Sequence, residues 1–137
     1  MTAMGGLRLG VMAAAVMGVL STPALAQRWL CDLALSDLQM GWISKDIAID
    51  KLKDGSFVVQ DRVMRAYGIE KVTPTVVEDT DKRIVLRWPV DAKSDTGQTV
   101  RMAYRATLYL DSNKIRLYGK DGAFSNDFEA RGTCKVS

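Results

Sequence analysis

In Val100-Arg101-Met102-Ala103-Tyr104-Arg105-Ala106-Thr107-Leu108-Tyr109-Leu110, side chains that favour a core stand at every second position. Val100, Met102, Tyr104, Ala106, Leu108 and Leu110 alternate against Arg101, Ala103, Arg105, Thr107 and Tyr109. A period of two sends one set to a core and the other to solvent, which is the pattern of a half-buried strand. The preceding stretch reads the same way, with Ile84, Leu86, Trp88 and Val90 on one side and Arg83, Val85 and Arg87 on the other. Between them, Asp91 to Gln98 has no apolar residue beyond Ala92 and reads as an exposed connection. Downstream, Asp111-Ser112-Asn113 turns the chain into Ile115 and Leu117, with Arg116 and Tyr118 facing the other way.

Outward from this hairpin the same period continues. Trp29, Cys31, Leu33 and Leu35 alternate with Arg28, Asp32 and Ala34, and Ile47 and Ile49 alternate with acids and Ala48. Asp54-Gly55 marks a tight turn, because the pair tolerates positive φ, and Phe57 to Met64 reads as the return strand. Val72 to Val77 contains Pro74, which confines it to an edge or a bulge. A last strand over about Asn126 to Cys134 puts Phe128, Ala130 and Cys134 on one side. Only Leu35 to Lys45 is ambiguous, with Ser36 placed to cap a short helical turn. The sum is an all-β antiparallel meander of about eight strands.

The first 26 residues have the layout of a cleavable secretory signal: Arg8, an apolar run from Leu9 to Leu20, then Ala24 and Ala26 as the small residues before a cut between Ala26 and Gln27. The apolar run is shorter than the roughly 20 residues of a membrane span. Residues 27–137 then form one domain, exported to the periplasm or beyond, with no membrane anchor after cleavage. Cleavage takes one base, Arg8, from the 19 and none of the 16 acids, which is too balanced for a whole-body polyelectrolyte. Cys31 and Cys134 are the only cysteines, and an oxidising compartment makes them a disulfide. Closing a loop of roughly 100 residues is worth up to about 4.7 kcal/mol in the chain-entropy description. The bond also places the first strand beside the last, which closes or nearly closes the sheet into a barrel. A β-sandwich with adjacent termini satisfies the same constraint.

Several chemistries drop out. Without any histidine there is no Ser-His-Asp or Cys-His catalysis, and no usual zinc or copper site. No phosphate-binding glycine loop is present, and no cofactor is expected. Asp95-Thr96-Gly97 matches the active-site triplet of aspartic proteases, but Asp91-Ala92-Lys93-Ser94 before it is polar where that family has a buried strand. It reads as hairpin loop, and no catalytic residue is assigned.

What remains is one basic, aromatic face. Folding the hairpin about residue 94 sets Arg87 opposite Arg101 and Arg83 opposite Arg105, while the next turn brings Arg116 beside Tyr109 and Tyr118 beside Thr107. Glu78 is within reach of Arg83 across a turn, and no acid alternates into the two central strands on this reading. Either the arginine stems simply cover apolar surface, or guanidinium groups and tyrosines bind an anion. In layout (signal, about a hundred residues, one disulfide) the chain resembles the small periplasmic β-barrel inhibitors of lysozymes or proteases, which implies a binding or inhibitory module. Its partner would be a cell-envelope polymer or an acidic protein; nucleic acid is not expected in that compartment, and no oligomeric state is specified. Two other classes fit the same chain: a carrier with an apolar cavity lined by Leu86, Trp88, Met102 and Tyr104, and a small carboxylate-dependent hydrolase. N-terminal sequencing of the exported protein is expected to begin Gln27-Arg28-Trp29; a start at Met1 would remove the export reading.

Overall fold

Every alternating stretch becomes a strand, and consecutive strands pair antiparallel at every step but one. The computed structural model describes residues 24–93, 96–122 and 127–137. Most of the expected signal peptide, Asp95 of the protease-like triplet and Asn126 therefore lie outside the described residues. The elements are β1 (Leu25–Ala34), a 3-10 turn (Asp37–Gln39), β2 (Asp46–Leu52), β3 (Phe57–Asp61), α1 (Arg62–Ala66), β4 (Thr75–Asp79), β5 (Arg83–Lys93), β6 (Thr99–Tyr109), β7 (Lys114–Asp121) and β8 (Asp127–Val136).

They form one eight-stranded sheet in the order β3-β2-β1-β8-β7-β6-β5-β4. First and last strands are neighbours, and the sheet curls into a nearly closed barrel. Its seam lies between β3 and β4. There Val59 and Val72 exchange backbone hydrogen bonds of 2.9 Å in both directions, and Lys51 of β2 meets Asp79 of β4 at 3.0 Å. Between the two strands lie α1 and Pro74, which lacks a donor, and no longer ladder joins them.

The inner faces supply a single core that includes Trp29, Leu33, Ile49, Phe57, Leu86, Trp88, Met102, Leu108 and Leu117. One end of this core is covered by the chain from Leu35 to Lys45. Trp42 stacks on Phe128 at 5.7 Å between ring centres, and the Tyr104 hydroxyl donates to the Trp42 carbonyl at 2.5 Å. The short helical turn expected after Ser36 is present, with the Ser36 N–H donating to the Gln39 side chain at 3.1 Å.

Three expectations are corrected. The return strand stops at Asp61 rather than Met64, because the Asp61 carboxylate accepts the Met64 N–H at 2.8 Å and starts α1. Val63 and Met64, consecutive in α1, are both buried. Burial raises the Asp61 pKa against the opposing hydrogen bonds from Met64 and Ser44. Next, β4 begins only at Thr75, and Val72 instead forms an isolated bridge with Val59 at the seam. Finally, Asp91, Ala92 and Lys93 belong to β5 and pair with Arg101, Val100 and Thr99, with Ala92 buried. The loop is correspondingly shorter than Asp91 to Gln98.

Cys31 and Cys134 are direct cross-strand partners with Cα atoms 3.9 Å apart, and their disulfide is buried inside the barrel wall. Beside it, Gly132 pairs with Leu33, and the two strands run so close that a Cβ on Gly132 would collide with the Asp32 carbonyl and stand 2.9 Å from Leu33 Cα. Replacing both cysteines with alanine is expected to cost about 2–5 kcal/mol in urea unfolding. Gly132→Ala is expected to cost about 3 kcal/mol or more, because rigid backbone rather than a side chain would have to move. Wild-type midpoints in both variants would show that the β1–β8 contact is dispensable.

Candidate functional site

The outer face of β5, β6 and β7 carries short side chains in a row, flanked by long ones. Val85, Thr107 and Arg116 are successive cross-strand partners, so a valine and a threonine form a floor beside an arginine. Val85 points outward and is nevertheless only 1 % exposed, because long neighbours lean over it. The result is a groove of about 350 Å³ lined by Arg83, Val85, Arg105, Thr107, Tyr109, Arg116 and Tyr118.

Of the seven residues expected on this face, five line the groove: Arg83, Arg105, Arg116, Tyr109 and Tyr118. Arg87 sits at its margin, directly opposite Arg105, and Arg101 stands apart from it, opposite Asp91. The expected pairing of Arg87 with Arg101 and of Arg83 with Arg105 is thus replaced by Arg87 with Arg105 and Arg83 with Tyr109. The cause is the length of β5: Lys93 pairs with Thr99, so the hairpin folds about Thr96 instead of residue 94. The shift is even, so each side chain keeps its face and changes only its partner. The next hairpin is displaced likewise, with Thr107 opposite Arg116 and Arg105 opposite Tyr118.

The face also carries more acid than expected. Glu78 takes Arg83 at 2.8 Å, and Asp91 lies 3.9 Å from Arg101. Arg116 grips Glu129 with two nitrogens, Nε to Oε1 and Nη2 to Oε2, both at 2.9 Å, and Arg131 Nε reaches the same Oε1 at 3.3 Å. Glu129 was legible in principle: Asp127, Glu129 and Arg131 alternate against Phe128 and Ala130, and the β7–β8 ladder sets Glu129 opposite Tyr118 and Arg131 opposite Arg116. The Arg116 hydrogen bond holds the Glu129 carboxyl below its ordinary range. Tyr118 donates to Asp127, which keeps its phenol protonated above the usual value. Among the described residues, Arg87 and Arg105 face each other with no carboxylate within ion-pair distance. Like charges directly opposite on a sheet repel, so this pair is a cost the fold carries and an anion would relieve.

The structure offers less to a carrier or a carboxylate-dependent hydrolase. Leu86, Trp88, Met102 and Tyr104 belong to the packed core, where Trp88 stacks on Tyr104 at 6.0 Å. Of the buried acids Asp50, Asp61 and Asp121, Asp50 is committed to Nε and Nη2 of Arg28 at 2.6 and 2.8 Å and Asp61 to the cap of α1. No group of three or more acids or cysteines among the described residues is arranged to hold a metal.

Glu129 generates a signed pH dependence. Its carboxyl titrates lower in the folded than in the unfolded protein, so its contribution is fully present above the ordinary value of about 4.3 and is lost as pH falls through the folded value. Glu129→Gln is therefore expected to unfold more easily than wild type at neutral pH, and the difference is expected to shrink on acidification. A gap independent of pH in parallel denaturant titrations would contradict the shared ion pair.

Comparison with protein-family models, with curated proteins and with solved structures returns no match.

Proposed function

We propose that this protein is an exported, non-enzymatic binding or inhibitory module. It acts through the arginine- and tyrosine-lined groove on β5–β7, and its target is an anionic envelope component or an acidic protein. The observation that carries the reading is the opposed pair Arg87 and Arg105, two guanidinium groups on adjacent strands without an acid between them. Arg83, Arg116 and Arg131 are already engaged by Glu78 and Glu129, so the free binding capacity concentrates where Arg105 enters the groove. Tyr109 and Tyr118 add apolar ring faces with polar tips, suited to a ligand that is part hydrophobic. The signal-like layout of residues 1–26 supports a location in the periplasm or outside the cell. The buried disulfide fits an oxidising compartment, and no helix among the described residues is long and apolar enough to cross a membrane.

The test is binding to isolated envelope fractions by wild type, by the Arg87→Gln/Arg105→Gln double variant and by Arg101→Gln. The double variant is expected to lose about tenfold or more in affinity, as for loss of charge-assisted hydrogen bonds. Arg101→Gln is expected to bind normally, because Arg101 is paired with Asp91 outside the groove. Unchanged binding by the double variant would overturn the reading.

A carrier of a small ligand has one observation in its favour. The indole N–H of Trp88 is buried and has no acceptor, and a buried donor left unpaired costs about 1–3 kcal/mol. A small guest offering an acceptor would remove that cost. Purified protein that releases an organic molecule on denaturation, seen by mass spectrometry, would support the carrier; its absence would leave the core as packing alone.

A further inference from the structure

The outer face holds two cross-strand arginine pairs, and one shows what such a pair does with a carboxylate. Arg116 of β7 is opposite Arg131 of β8, and Glu129, two residues before Arg131 on β8, sits against both guanidinium groups. Two strands along the sheet, Arg87 of β5 is opposite Arg105 of β6. β6 and β8 are both antiparallel to β7, so they run in the same direction and the relation repeats. The residue two before Arg105, where the second glutamate would stand, is Ala103, exposed and opposite Pro89. With Thr75, Arg87 and Pro89 it lines a recess of about 250 Å³.

We propose that the Arg87–Arg105 pair binds a single carboxylate contributed by an aspartate or glutamate side chain of a polypeptide partner, which enters over Ala103 and occupies the place that Glu129 takes at the neighbouring pair. This rests on the anion-binding reading above and narrows it. Strand spacing of about 4.8 Å lets two guanidinium groups converge on the two oxygens of one carboxylate. A continuous phosphate polymer fits the face less well. A ligand extended along the sheet from Arg105 in either direction meets further acid: Glu78 beyond β5, and Glu129 and Asp127 on β8. Glu78 and Glu129 already occupy the neighbouring arginines, so among the described residues the face offers one free guanidinium pair, suited to one discrete negative group.

The experiment uses the purified protein with a fluorescent oligo-glutamate peptide and, in parallel, inorganic polyphosphate. Binding is compared across wild type, Ala103→Glu, Ala103→Gln and Arg105→Gln, with urea unfolding as the check on folding. Wild type and Ala103→Gln are expected to bind the peptide. Ala103→Glu and Arg105→Gln are expected to lose about tenfold or more, with Ala103→Glu unfolding no earlier than Ala103→Gln because its new carboxylate relieves the arginine pair. Peptide binding that survives Ala103→Glu or Arg105→Gln overturns the assignment of the site. Binding of polyphosphate without binding of the peptide overturns the carboxylate and leaves the anion-binding face standing. Failure of both probes overturns the face itself.

Discussion

The contact between β1 and β8 is the constraint on which the rest of the barrel depends. Six successive residue pairs form its ladder, from Trp29 with Val136 to Ala34 with Arg131, and the disulfide lies within it. The cysteines joined here are 103 residues apart in sequence, so this is the pairing with the greatest loop-closure cost and the one a covalent bond helps most. Gly132 serves the same contact by omitting a side chain where the backbones come closest. Once β1 and β8 are joined, each remaining strand needs only its neighbour in sequence. The one weak junction is left between β3 and β4, where the chain detours through α1.

That arrangement also explains why a binding face is available. A barrel that buries one side of every strand must display the other, and on β5–β8 the displayed side is basic and aromatic. Most of its arginines are quenched locally. Glu78, Asp91 and Glu129 each stand on the strand beside their arginine or on the same strand, which keeps the face from repelling itself apart. Arg87 and Arg105 escape this pattern because the residues flanking them on the outer face are Val85, Pro89, Ala103 and Thr107, none of which carries charge. The candidate site thus arises from a gap in charge compensation, within a sheet whose core packing has no need of it.

The outer face was legible by parity and illegible by register. Alternation alone put Arg83, Arg87, Arg101, Arg105, Arg116, Tyr109 and Tyr118 on one side, and the structure keeps each of them there. Which of them touch depended on where two hairpins fold, and a displacement of two residues in the first was enough to exchange Arg101 for Arg105 as the partner of Arg87. Polar loop composition could not locate that fold, because Asp91 and Lys93 look like loop residues and are in fact the outward positions of a strand whose inward residue is Ala92. Similarly, Asp61 shares the inward parity of Phe57 and Val59, and only the structure shows its carboxylate capping α1 from that buried position.

By itself the sequence determined the strand content, the facing of almost every side chain, the disulfide and the absence of histidine chemistry. These follow from local rules: a two-residue period, turn residues, and the redox logic of two cysteines. Only the tertiary structure decided the register of β5 on β6, the seam between β3 and β4, the helix after Asp61, and the sharing of Glu129 by two arginines. Those depend on distances between residues far apart in sequence, set by loop lengths and backbone approach. An alternating pattern specifies which way a side chain points, and only pairing specifies what it meets.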